Sequence, residues 1–197
     1  MRRALLWVVL SLFTSPAFAK GWYTIEVLVF AQNHPVSSEI FPTNRQPAYA
    51  PQPVTLGSPE LNEQADSDAV GRGAWQFLGE DSAVLQFMME RMEQSGNYRE
   101  LYHATWRQPV GSKQETQPVY LRGGQTLPTE EGDIPELEGT LHFSESRYVH
   151  VDPRLWFNTE VEGERIYVDI SESRRLSGFQ AYYFDHPMFG MIVRVTR

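Results

Sequence analysis

The chain has no cysteine among its 197 residues. That excludes disulfide staples, thiolate metal sites, a cysteine nucleophile and a lipid-anchoring cysteine. Lysine is almost missing too, with Lys20 and Lys113 set against fifteen arginines. No basic block occurs, and the formal net charge of −8 argues against a nucleic-acid or anionic-membrane partner. Neither lysine has a serine three residues before it, so the Ser-x-x-Lys pair of penicillin-binding acyltransferases is absent. A G-x-S-x-G elbow, an H-E-x-x-H zinc helix and a Gly-rich phosphate loop are absent as well. Long apolar runs are confined to the start of the chain.

There, Met1-Arg2-Arg3 precedes an apolar run over residues 4–13 and an Ala17-Phe18-Ala19 cleavage site. The run is too short to span a bilayer, so residues 1–19 read as a cleaved secretory signal peptide. Loss of Arg2 and Arg3 takes the formal charge from −8 to −10. The full sequence is 41% hydrophobic, and the remainder suits one exported, soluble domain over residues 20–197, with no later membrane span and a periplasmic location.

Residues 22–30 (Trp-Tyr-Thr-Ile-Glu-Val-Leu-Val-Phe) are β-branched and aromatic on both parities, as in a central strand. Six prolines then break residues 31–74 into a long loop, with a short helix possible over 59–70. A helix capped by Asp81 or Ser82 follows, with an apolar stripe of Val84, Leu85, Met88, Met89 and Met92, closed by Gly96. Residues 97–109 form a strand. A second loop, over 111–136, holds at most a short strand at 119–122.

The most regular alternation lies over residues 139–152. Leu141, Phe143, Val149 and Val151 share one parity, and His142, Ser144, Ser146, Tyr148, His150 and Asp152 the other. This predicts one long strand with a buried and a polar face. After a turn at Gly163, residues 164–171 repeat the rule as an antiparallel neighbour, with Arg165, Tyr167, Asp169 and Ser171 outward. Short strands at 178–184 and 191–196 end the chain. The fold class is α+β: a mainly antiparallel sheet with one principal helix packed on one face, and long Pro-rich loops. A ferredoxin-like arrangement would need a clear second helix.

The candidate binding residues are those of the open sheet face: His142, Ser144, Tyr148, His150, Arg165, Tyr167 and Asp169. Aromatic faces stack on sugars, and Arg or His meets carboxylates, so such a platform suits glycan and peptide groups. An ordinary solvated face is the competing reading. Arg174, Arg175, Asp185 and His186 are secondary candidates; the adjacent arginines point to opposite sides of their strand, so at most one serves a given site. No metal or cofactor is expected. Along one strand His142 and His150 would lie about 27 Å apart, and His150 with Asp152 supplies only two ligands. Glu26, Glu145, Asp152, Asp169 and Asp185 are available to a wall hydrolase, but none sits in a recognisable catalytic setting. No enzymatic activity is expected.

Ordered pieces over residues 22–30, 103–109, 146–152, and 173–176 followed by 183–190, resemble the CsiV-type peptidoglycan-binding proteins of Gram-negative envelopes. The resemblance implies a non-catalytic periplasmic protein that binds peptidoglycan and supports the penicillin-binding synthases and their lipoprotein activators, hence cell-wall biogenesis and cell shape. It carries over no binding residues. The alternative is a periplasmic protein–protein adaptor for envelope assembly, without direct glycan recognition, using the Pro-rich loops.

Overall fold

A computed structural model of the chain describes residues 20–36, 41–42, 45–57, 73–129, 132–161, 163–178 and 180–197. The expected signal peptide and the short helix over 59–70 lie outside the described residues. The described strands are β1 (Gly21–Gln32), β2 (Val54–Thr55), β3 (Tyr98–Val110), β4 (Val119–Leu127), β5 (Ile134–Glu145), β6 (Val149–Val161), β7 (Glu164–Ile170), β8 (Arg174–Leu176), β9 (Ala181–Asp185) and β10 (Phe189–Thr196). They build two sheets where one was expected. The first runs β3-β1-β10-β9; the second runs β2-β4-β5-β6-β7, with β8 also on β6. Among these strands only the short β2–β4 pairing is parallel. The protein is therefore mostly β, with one α-helix among the described residues, α1 (Gln86–Gln94).

β1 is central in the first sheet, as its composition predicts. Ile25, Val27, Val29 and Ala31 face the second sheet, and Leu28 and Phe30 face α1. Between the sheets, Trp106 meets Phe143 edge-on at 6.2 Å and Phe157 stacks on Phe189 at 5.4 Å. One apolar core therefore spans both layers. The backbones of the two sheets come together where β3 meets β4 and β5. The β1–β3 register slips at Val29/Phe30, and β4 slips against β5 between Gly123 and Thr126. A Cβ at Gly123 would lie 2.1 Å from the Leu101 carbonyl oxygen, so only glycine fits this approach.

Three expectations need correcting. The predicted long strand over 139–152 is a hairpin: β5 ends at Glu145, residues 146–148 turn, and β6 begins at Val149. A three-residue turn preserves parity, so Phe143 pairs with Val151 and Glu145 with Val149 on the same face. The alternation therefore continues unbroken through the turn. The expected loop over 111–136 contains all of β4 and the start of β5. Finally, the helix starts later than expected, after a separate 3-10 turn at Glu80–Ser82. Neither Asp81 nor Ser82 caps it. The Leu85 N–H instead donates to Glu26 Oε1 at 2.7 Å, so a carboxylate from β1 takes over the capping role. Leu85 and Met89 are buried and Met92 packs beside them, whereas Val84 and Met88 of the expected stripe are exposed.

Candidate binding face

Alternation places the even-numbered residues of β5 and β6 and the odd-numbered residues of β7 on the outer face of the second sheet. The ladders align Glu138, Trp156 and Asp169 in one row, and Thr140 with Arg154 in the next. His142 then stands opposite Asp152, and Ser144, His150 and Arg175 make a further row. The hairpin turns His142 and His150 into diagonal neighbours, about 7–8 Å apart by Cα, rather than residues at the two ends of one strand. Among the described residues, no three His, Asp or Glu side chains are gathered so as to hold a metal.

The face is not open throughout. Residues 45–50 of the proline-rich stretch lie across its middle. Arg45 is ion-paired with Asp169, and its guanidinium stands 5.4 Å over the Trp156 ring. The Trp156 indole N–H donates to the Ala48 carbonyl at 3.1 Å, Arg154 Nη1 reaches the Tyr49 carbonyl at 3.4 Å, and the Ala50 N–H donates to Thr140 Oγ1 at 3.0 Å. Tyr49 packs edge-on against Tyr120 at 6.0 Å. Burial, together with a hydrogen bond to Glu138, pushes the Tyr49 hydroxyl far above the ordinary tyrosine range, so it stays a neutral donor.

This strap makes the face concave. A cavity of about 420 Å³ is lined by Arg45, Gln46, Ala48, Arg154, Trp156, Asp169 and Ser171. A second, of about 300 Å³, lies on the other side of the Arg45–Asp169 pair, against Phe41, Pro42, Tyr167 and His186. His186 arrives from the β9–β10 turn, where its Nδ1 accepts from the Met188 N–H at 3.1 Å, as its position in that turn suggests. The two cavities form a groove with aromatic walls and two guanidinium groups.

The sequence candidates thus divide. Tyr167 and Asp169 line the groove, and His186 joins them. Arg165 lies one row beyond Tyr167, its Nη2 3.3 Å from the Pro128 carbonyl. His142, Ser144, Tyr148, His150 and Arg175 cluster at the far end. There His142 Nε2 donates to the Thr116 carbonyl at 2.8 Å, and Lys113 pairs with Asp152 at 2.6 Å. Arg174 points away from Arg175, donating to the Tyr183 carbonyl and lying 4.5 Å over Phe184; it ties β8 to β9. Asp185 accepts the Tyr183 hydroxyl at 2.7 Å on the outer side of the first sheet, away from the groove. Glu145, available to a hydrolase in principle, is held by Tyr23 and Arg197 at 2.6 and 2.8 Å. Sequence reasoning missed Arg45, Arg154 and Trp156. Recognising the hairpin would have put Arg154 and Trp156 on the polar parity; Arg45 sits in a segment without periodicity.

The two-layer β fold thus carries a shallow, strapped groove on one sheet face. The chain belongs to the CsiV family: the family model described as "Peptidoglycan-binding protein, CsiV" matches residues 2–197. Membership supports peptidoglycan as the ligand and the cell envelope as the setting. No curated protein and no solved structure matches the chain. No helix among the described residues is long and apolar enough to cross a membrane.

Proposed function

We propose that the chain is a non-catalytic periplasmic protein that binds peptidoglycan through the outer face of its second sheet. The observation that carries this reading is the groove around Arg45, Trp156, Tyr167 and Asp169, where aromatic walls and fork-shaped cations meet on one concave surface. Aromatic rings suit sugar faces, and guanidinium groups suit the carboxylates of the wall peptide. By binding the wall it supports penicillin-binding synthases, alongside their lipoprotein activators, and through them cell shape. Co-sedimentation of residues 20–197 with protein-free sacculi tests the function. Retention with no muropeptides released is expected; release of muropeptides would make it a hydrolase, and no retention would remove the binder.

A protein–protein adaptor is the second reading, favoured by one observation. Val84, Phe87 and Met88 form an exposed apolar flank beside the buried side of α1. An adaptor would bind a synthase or activator through that flank and leave bare sacculi in suspension.

A further inference from the structure

We propose that the cluster at the β5–β6 turn is a carboxylate subsite for the peptide stem of the wall. The proposal rests on the peptidoglycan reading above and adds a second contact point to it. Arg147, in the turn, and Arg175, on β8, place their guanidinium carbons 5.4 and 4.7 Å from the centre of one ring, that of Tyr148. His150 pairs with Arg175 across the ladder, so the imidazole joins the same patch. Among the described residues neither arginine is in an ion pair, whereas Arg45, Arg99, Arg174 and Arg197 each have a carboxylate partner. The nearby Asp152 is already taken by Lys113. Two like charges held on one ring, in a chain of net charge −8, form a local surplus that suits an anion. Both groups are forks, which match a carboxylate's two oxygens in a way a lysine does not.

Spacing links this cluster to the groove. Arg154, which lines the groove, and His150 lie four residues apart on β6, about 13 Å at roughly 3.3 Å per residue. A wall stem of four or five residues spans at most about 14–18 Å extended. A saccharide lying in the groove beside Arg154 would therefore send its stem past Asp152, bringing the terminal carboxylates up to Arg147 and Arg175. The sugar would be held at one end of the sheet face and the peptide's acidic end at the other.

The test is an NMR titration of residues 20–197 with two soluble wall fragments, the disaccharide-tetrapeptide and the disaccharide without peptide. Inorganic phosphate serves as a competing anion. Arg147→Gln with Arg175→Gln removes the charges; Arg147→Lys with Arg175→Lys keeps the charge and removes the forks. Both positions are exposed, so folding should survive. The expected result is that wild type binds the tetrapeptide fragment at least about tenfold more tightly, the size of one charge-assisted contact. That advantage should vanish in the Gln pair and fall in the Lys pair, with affinity for the bare disaccharide unchanged. Equal binding of both fragments by wild type, or an advantage that survives the Gln pair, would overturn the subsite and leave the groove standing. Phosphate competing as well as the tetrapeptide would reduce it to a general anion site and overturn the stem assignment. Failure of both fragments and of sacculi to bind would remove the peptidoglycan reading itself, and the subsite with it.

Discussion

Arg45 is ion-paired with Asp169 across 124 positions of sequence, and that one contact fastens the proline-rich strap to the edge strand of the second sheet. The same guanidinium covers Trp156. It therefore stands between the two cavities, within reach of a ligand in either. Residues 45–50 are otherwise held mainly by single hydrogen bonds to Trp156, Arg154 and Thr140. The groove's shape depends on these few contacts.

Arg45→Ala should loosen the strap without unfolding the sheets. An exposed ion pair contributes at most about 1 kcal/mol, so the urea midpoint should barely move. Amide exchange over residues 45–50 should nevertheless quicken, because the Ala50 N–H depends on Thr140 staying close. Unchanged exchange would mean that the strap is held by something other than Arg45.

Glu26→Ala should cost far more. Glu26 is buried; it accepts from the Leu85 N–H at 2.7 Å and from His103 Nε2 at 3.0 Å. Its removal leaves buried donors unsatisfied at the start of α1, a loss of about 2–3 kcal/mol in urea unfolding. A loss no larger than that of a surface substitution would mean that the helix start does not depend on β1.

Gly139→Ala should be among the most damaging single changes. Its φ is +153°, and an added Cβ would lie 2.2 Å from the Arg154 carbonyl oxygen and 2.7 Å from Leu155 Cα. Backbone is hard to move, so strain and crowding together should cost about 3 kcal/mol or more. A normal urea transition in this variant would show that β5 and β6 can part locally at that row.

Asp152 gives the pH dependence. Burial alone would raise its carboxyl, but hydrogen bonds from Lys113 and Ser173, with the charges of Lys113 and His142, outweigh burial and hold it below the ordinary aspartate value. A depressed acid stabilises the fold above the unfolded pKa, about 3.9, and that stabilisation fades as pH falls through the lower folded value. Asp152→Asn should therefore lose about 0.5 kcal/mol at neutral pH, a modest figure because Lys113 is largely exposed. Wild type and variant should converge once the pH falls below the folded-state value. A gap of the same size at both ends of the range would point to lost packing instead of lost charge.

The central strand, the inward set Ile166, Val168 and Ile170, and the opposite facing of Arg174 and Arg175 were legible because alternation reports burial directly. The hairpin at residues 146–148 was hidden by the same signal, since an odd-numbered turn leaves parity intact. The second sheet could not be inferred either. Glycines at 123 and 124 look like loop residues, yet they sit inside β4, where Gly123 closes on the Leu101 backbone. The strap was illegible for a different reason. Apart from the side chains of Arg45 and Tyr49, its contacts run through backbone groups, which leave no period in the sequence.

The most direct measurement of the binding face is backbone-amide NMR mapping of residues 20–197 as a soluble disaccharide-peptide fragment of the wall is added. Shifts concentrated at Arg45, Trp156, Tyr167, Asp169 and the neighbouring strap are the expected result, with the outer side of the first sheet silent. Shifts confined to Val84, Phe87, Met88 and Tyr183 on that other side would contradict it and move the site beneath and beside α1.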